Sequence, residues 1–267
     1  MQQGSIALVT GASRGIGAAV ARALAADGFE VVLAARGLAE CEALARELAG
    51  SGARAHAVAI DVASDASVQA GVARALTLTG GRLDLLVNNA GIAESGPLLP
   101  RPGKKGQDHE RHLEVNLHGA RRMLEAAAPA LLARPGAALV NVASSAALRG
   151  YAYVAAYCAS KHALLGYTRS AALELGTRGL RCFALCPHYV DSPMLAASVE
   201  RVVATTKKSA DEARAFFAAQ NPAGRLVTPL QVAKVVVAAA RARFEPGVIE
   251  LDGADPRVLE RWPTTAS

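Results

Sequence analysis

The stretch that decides the fold is Ile6-Ala7-Leu8-Val9-Thr10-Gly11-Ala12-Ser13-Arg14-Gly15-Ile16-Gly17, followed by an alanine-rich run to Ala26. A short apolar run meets a turn carrying three glycines. Strong helix formers then follow and stop near Gly28, a natural left-handed cap. The order is therefore strand, glycine loop, helix. Backbone amides at a helix N-terminus attract phosphate, and glycines let a pyrophosphate come close. The spacing Gly11-x3-Gly15-x-Gly17 differs from the more familiar G-x-G-x-x-G, and a glycine turn alone is a weak signal. Its place after the first strand of an alternating chain favours a dinucleotide site over a simple tight turn.

Working outward, the pattern repeats. Strands are predicted at 30–34, 56–60, 83–87, 138–142, 180–186 and 248–251, about seven in all with the first. Between them, Leu38, Cys41, Leu44 and Leu48 recur at helical spacing. Ser64 reads as the N-cap of a helix through Leu76, and Thr228-Pro229 as the opening of another. A long helix is predicted over Leu113, Leu117, Leu124 and Leu131, and a further one from Tyr157 to about Gly176. Residues 93–107 read as loop, 188–224 as irregular with short helices, and 254–267 as a tail. Alternating strands and helices imply an α/β fold of the Rossmann type: a doubly wound parallel sheet with helices on both faces. No linker-like shift in composition divides the chain, so residues 1–267 read as a single domain.

The bulk numbers agree. The 267 residues are 52% hydrophobic, 19% charged and 4% aromatic, enough apolar content for a sizeable core. No apolar run reaches the ~18 residues of a membrane span. The opening Met1-Gln2-Gln3-Gly4-Ser5 has neither a basic nor an apolar signal region, so a cytoplasmic location is expected. The net charge of +6 is scattered, with no arginine–aromatic interleaving of the kind that binds nucleic acid. Cys41, Cys158, Cys182 and Cys186 lack metal-ligand spacing and read as reduced thiols; no metal is expected.

Two further constellations carry chemistry. Where strand two ends, a carboxylate usually meets a free ribose and an arginine meets a 2′-phosphate. Here stand Ala35-Arg36, with no carboxylate before Glu40. Arg14 in the glycine loop supplies a second cation, and together they favour NADP(H) over NAD(H). The other constellation is Tyr157-Cys158-Ala159-Ser160-Lys161. Four residues apart on a helix, phenol and ammonium share a face, and the positive charge is expected to lower the phenol pKa. The pair alone occurs on many ordinary helices, and its weight comes from the company it keeps.

Thr10-Gly11-x3-Gly15-x-Gly17, Asp61-Val62, Asn88-Asn89-Ala90-Gly91, Asn116, Ser144 and Tyr157-x3-Lys161 stand in the order seen in the short-chain dehydrogenase/reductase (SDR) family, and from about Ser5 to Gly253 the chain resembles its NADP(H)-dependent ketoreductases. The resemblance implies a sheet of strand order 3-2-1-4-5-6-7 and a homotetramer or homodimer. It implies catalysis by Asn116, Ser144, Tyr157 and Lys161. Tyr157 would be the general acid in reduction and the base in oxidation. Lys161 would hold the nicotinamide ribose and lower the tyrosine pKa. Ser144, thirteen residues before Tyr157, would bind the substrate carbonyl in preference to Ser145, and Asn116 would support a proton-relaying water. Cofactor contacts are implied for Gly11, Ser13, Arg14, Gly15, Ile16 and Gly17, for Arg36, and for Asp61 and Val62 at the adenine. Asn88 would brace the sheet, with Ala90 and Gly91 beside it, and Pro187, Val190 and Ser192 would complete the contacts with Tyr157 and Lys161.

The chain departs from the family after strand six. Where a glycine usually follows the proline, Pro187 is followed by His188, and Ser192 replaces a threonine. A left-handed histidine there would be strained, and His188 is a candidate for shaping the substrate pocket. Residues 188–224 are expected to form a lid. Arg201, Lys207 and Lys208 on it suit a phosphate of coenzyme A or a carrier-protein thioester, while steroids, sugars and small ketones fit the resemblance equally. His109, His112, His118 and His162 show no partner pattern and read as surface or packing residues. The expected function is reduction of a ketone or β-ketoacyl carbonyl, or the reverse. The competing readings are an NADP(H)-binding sensor or scaffold without turnover, and a dehydratase or epimerase.

Overall fold

The computed structural model describes residues 4–100 and 106–263. The parts of the predicted loop and tail at 101–105 and 264–267 lie outside the described residues. Eight strands form one sheet in the order β3-β2-β1-β4-β5-β6-β7-β8. They are β1 (Ile6–Thr10), β2 (Glu30–Ala35), β3 (Ala55–Ala59), β4 (Leu85–Asn88), β5 (Ala138–Val142), β6 (Arg181–Pro187), β7 (Gly247–Leu251) and β8 (Arg257–Arg261). All pairings are parallel except β7 with β8.

The central strands are buried along their whole length, as strands covered on both faces must be. Side chains alternate between two cores. Ala7 and Val9 of β1 join the core under α1 (Gly15–Ala26), α2 (Leu38–Gly50) and α9 (Pro229–Ala240). Ile6 and Leu8 join the opposite core under α3 (Asp65–Leu78), α5 (Gly119–Leu132) and α6 (Ala155–Gly176). The predicted caps form: Ser64 accepts from Ser67 N at 3.3 Å, and Thr228 makes a capping box with Gln231. α7 (Pro193–Thr205) and α8 (Ala210–Ala219) follow β6.

Two expectations are corrected. The predicted tail contains β8, which pairs antiparallel on the β7 edge. Its exposure alternates from Arg257 to Arg261, as expected of a strand with one face on protein. The predicted long helix is broken: α4 (His109–Leu113) gives way to a π-helical turn at Glu114–His118 before α5. Such turns re-aim side chains and gather at functional sites. This one contains Asn116.

Candidate active site

The cleft lies at the carboxyl ends of the strands, where strand order reverses between β1 and β4, the usual ligand crevice of an open α/β sheet. Its volume of about 2360 Å³ is more than twice the ~1,000 Å³ of a large small-molecule pocket, room for two molecules side by side.

Thr10 ties the glycine loop to β4. Its buried hydroxyl donates to the Val87 carbonyl at 3.3 Å and accepts from the amides of Asn89 at 3.0 Å and Ala90 at 3.1 Å. Asn89 Nδ2 returns a bond to the Thr10 carbonyl at 2.9 Å. The glycines are steric necessities. A Cβ at Gly11, which has φ +65°, would lie 2.9 Å from Asn89 Nδ2, and one at Gly17 would overlap the Gly11 carbonyl oxygen. Arg14, the N-cap of α1, gives no side-chain cap, and the first turn of α1 holds no acidic residue. The amides at this end are thus left to an incoming anion, the fit a pyrophosphate requires.

Arg14 and Arg36 stand exposed on the cleft wall, with no ion pair among the described residues. The Glu40 carboxylate folds back against Gly37, the N-cap of α2. Ser13, Gly15, Ile16, Asp61, Val62, Ala90 and Gly91 line the same cleft, as do Pro187, Val190 and Ser192. Asp61 Oδ1 accepts from Ala63 N at 3.1 Å, and Ser192 caps α7.

Gly17, Asn88 and Asn116 sit behind the wall. Asn88 Nδ2 donates to the Ala120 carbonyl at 3.1 Å and to Asn141 Oδ1 at 2.9 Å, joining β4, α5 and β5. Asn116 is buried in its π turn. It exchanges two bonds with the main chain of Ile92, at 2.8 and 2.9 Å, and donates to Ser160 Oγ at 2.9 Å. It so fixes the segment after β4, beside Gly91, to the helix carrying Tyr157.

Tyr157 and Lys161 both face the cleft from α6, and Ser144 reaches it from the end of β5. Ser144 Oγ accepts from Ala146 N at 3.1 Å and pulls the Tyr157 phenol pKa downward. Ser145 is turned to the Tyr151 hydroxyl at 2.9 Å. Lys161 Nζ donates to the Val142 carbonyl at 2.9 Å and lies 5.8 Å from the centre of the Tyr157 ring.

The expected lowering of the phenol pKa is corrected. Burial pushes Tyr157 up to about 12, against a smaller downward pull from Ser144. Lys161 does not offset it, because burial pulls its own ammonium down to about 8 and its bond goes to Val142. At neutral pH Tyr157 is a protonated phenol with a proton to give.

His188 is also corrected. It is not left-handed: the non-glycine residues with positive φ are Tyr153 and Ala242 among those described. His188 lines the cleft, as expected, but its side chain is 0% exposed and engaged by protein partners. It receives a bond from Arg149 at Nδ1 (3.0 Å) and meets Glu250 at Nε2 (2.8 Å). Since arginine can only donate, Nδ1 must accept, and Nε2 carries the proton toward the carboxylate.

His112, expected among surface or packing residues, is fully buried. Its ring stands edge-on to Tyr157 at 6.5 Å, and Nε2 accepts from Glu94 N at 3.0 Å. Its spacing of four from Asn116 was the signal that it shares that residue's helix face.

A family model described as "short chain dehydrogenase" matches residues 5–202. Oxidoreductase UcpA of Salmonella typhimurium is 37% identical over 233 residues, spanning 87% of this chain and 86% of that one. Galactitol 2-dehydrogenase of Agrobacterium fabrum is 36% identical over 238 residues, spanning 89% and 90%. A crystal structure of an actinorhodin polyketide ketoreductase variant with NADPH superposes with a TM-score of 0.85 at 32% identity, covering 95% of this chain and 97% of that one.

Proposed function

This chain belongs to the short-chain dehydrogenase family, an oxidoreductase family, and from that premise we propose that it is a cytoplasmic NADP(H)-dependent ketoreductase, reducing a ketone or β-ketoacyl carbonyl to a secondary alcohol. One observation carries the reading: a protonated Tyr157 phenol, with Ser144 on the same cleft and Lys161 one turn on, faces a cleft whose other end is a glycine-loop anion cradle. The NADPH that accompanies the similar polyketide ketoreductase supports the cofactor, as do Arg14 and Arg36, two unpaired guanidiniums suited to a 2′-phosphate.

When bound, the dihydronicotinamide supplies the hydride that reduces the carbonyl carbon. The chain's own residues handle the oxygen. Ser144 donates a hydrogen bond to it, and Tyr157 delivers the proton. An alkoxide is a far stronger base than a phenolate, so this transfer runs downhill even from a phenol near 12. Lys161 holds the ribose and places an ammonium near the phenolate left behind. Asn116 ties the Ile92 segment to α6, supporting a proton-relaying water. The 188–224 segment is the lid, with Lys207 and Lys208 available to a coenzyme A or carrier-protein phosphate, and Arg201 able to join them by giving up its bonds to Ser95. The working unit is a homodimer or homotetramer.

The test is NADPH consumption against a panel of ketones and β-ketoacyl thioesters, beside a cofactor titration. Oxidation with at least one carbonyl supports the reading. Tight NADPH binding with no oxidation across the panel sinks it in favour of a sensor, and an alkene or inverted centre as product points to a dehydratase or epimerase.

A further inference from the structure

We propose that the substrate end of the cleft is built for a planar, largely apolar ring ketone rather than an open-chain polyhydroxylated one; this rests on the ketoreductase reading of the same site. The chain is poor in aromatics: five tyrosines, five phenylalanines and one tryptophan. Six of these eleven line this one cleft, namely Tyr151, Tyr153, Tyr157, Tyr189, Phe216 and Phe217. They come from three separate segments: just before and in the first turn of α6, after β6, and on α8.

Four of the rings form a chain. Tyr151 meets Tyr189 at 5.8 Å, Tyr189 meets Phe217 at 5.0 Å, and Phe217 meets Phe216 at 5.5 Å. Edge-on and tilted rings at these separations attract one another and leave faces for a further ring. The chain is not a closed core, since Phe216 at its end is 49% exposed; Tyr153, outside the chain, is 69% exposed. Tyr153 is also held at φ +65°, costly for a residue with a side chain, with its carbonyl bonded to Gly96 N at 2.8 Å.

Several of the hydrogen-bonding groups nearby are committed to one another. The Tyr151 hydroxyl pairs with Ser145 Oγ at 2.9 Å and accepts from Arg149 Nε at 2.9 Å. Arg149 also serves His188, and the exposed Arg201 bonds Ser95. A flat ring system can pack on these aromatic faces, whereas a polyol would set its hydroxyls against rings that return no hydrogen bonds.

The experiment compares 2-tetralone with fructose as NADPH-oxidising substrates of the full chain. In parallel, 2-tetralol is titrated calorimetrically into enzyme loaded with NADP⁺. We expect kcat/KM for 2-tetralone to exceed that for fructose by on the order of 100-fold. Phe216→Ala and Tyr153→Gly, both at exposed positions and the second relieving a strained φ, should raise its KM about three- to tenfold with the NADPH Kd unmoved. Fructose turned over as well as 2-tetralone, or variants that leave the KM unchanged, would overturn the proposal while the ketoreductase reading stood. If neither ketone is reduced but 2-tetralol binds and both variants weaken it, the ring site stands and the ketoreductase reading falls. No turnover and no 2-tetralol binding overturns the ring site.

Discussion

The Lys161 ammonium donates to the Val142 carbonyl across 2.9 Å, inside the protein rather than in water. Burial lowers its pKa from 10.5 to about 8. Because the folded value lies below the unfolded one, the folded state sheds this proton first as pH rises. The stability cost of the charge is therefore full below pH 8 and fades toward 10.5. Lys161→Met should raise stability at pH 7 by about 1–3 kcal/mol, less the lost bond to Val142, and the gain should shrink by pH ~10 while activity is lost. Urea denaturation at several pH values measures it, and a gain independent of pH contradicts the assignment.

The same titration bears on the cofactor. If the Lys161 ammonium holds the ribose, NADPH affinity should weaken as pH rises through about 8, and the dependence should vanish in Lys161→Met. Fluorescence titration across that range would detect it.

Tyr157 is proposed to carry the proton. Tyr157→Phe keeps the ring against His112 and removes only the hydroxyl. We expect kcat to fall by at least ~100-fold with NADPH binding within about twofold. Retained turnover would mean that another group protonates the product.

Arg36 and Arg14 are read as the 2′-phosphate contacts. Arg36→Asp should move the NADPH/NADH ratio of kcat/KM toward NADH by about tenfold or more, and Arg14→Ala by less. An unchanged ratio for Arg36→Asp would exclude it from the phosphate site.

His188 links distant segments, bonded to Arg149 on one side and Glu250 on the other, with Glu250 also holding Arg257 of β8 at 2.7 Å. His188→Gly, the residue usual in the family, should cost about 1–3 kcal/mol of stability through the buried bonds it breaks. It should also raise substrate KM, because Arg149 then loses a fixed point from which it holds Tyr151. Denaturant midpoints and steady-state kinetics measure the two effects separately.

Most of the scaffold was legible in the chain because its signals are local. The apolar run to Val9, the glycines at 11, 15 and 17, the cap at Ser64 and the Tyr157–Lys161 spacing each act within a few residues, through sterics or helical geometry. Ser144 was separable from Ser145 by its distance from Tyr157. The break at Asn116 was not legible, since a π turn leaves the helical periodicity of Leu113, Leu117 and Leu124 nearly intact.

By itself, then, the chain determined the order of its strands and helices, its glycine loop and the pairing of Tyr157 with Lys161 on one helix. Tertiary structure alone decided the rest. Residues 257–261 became a strand only because the β7 edge offered them a partner. The Tyr157 phenol moved up rather than down because burial by the surrounding fold, absent from any local spacing, outweighs what one neighbour supplies. His188 found its partners 39 and 62 positions away, and six aromatic side chains met at one cleft from three segments. Desolvation and long-range contact arise only once the chain has closed on itself, and those are the forces that set the chemistry of this site.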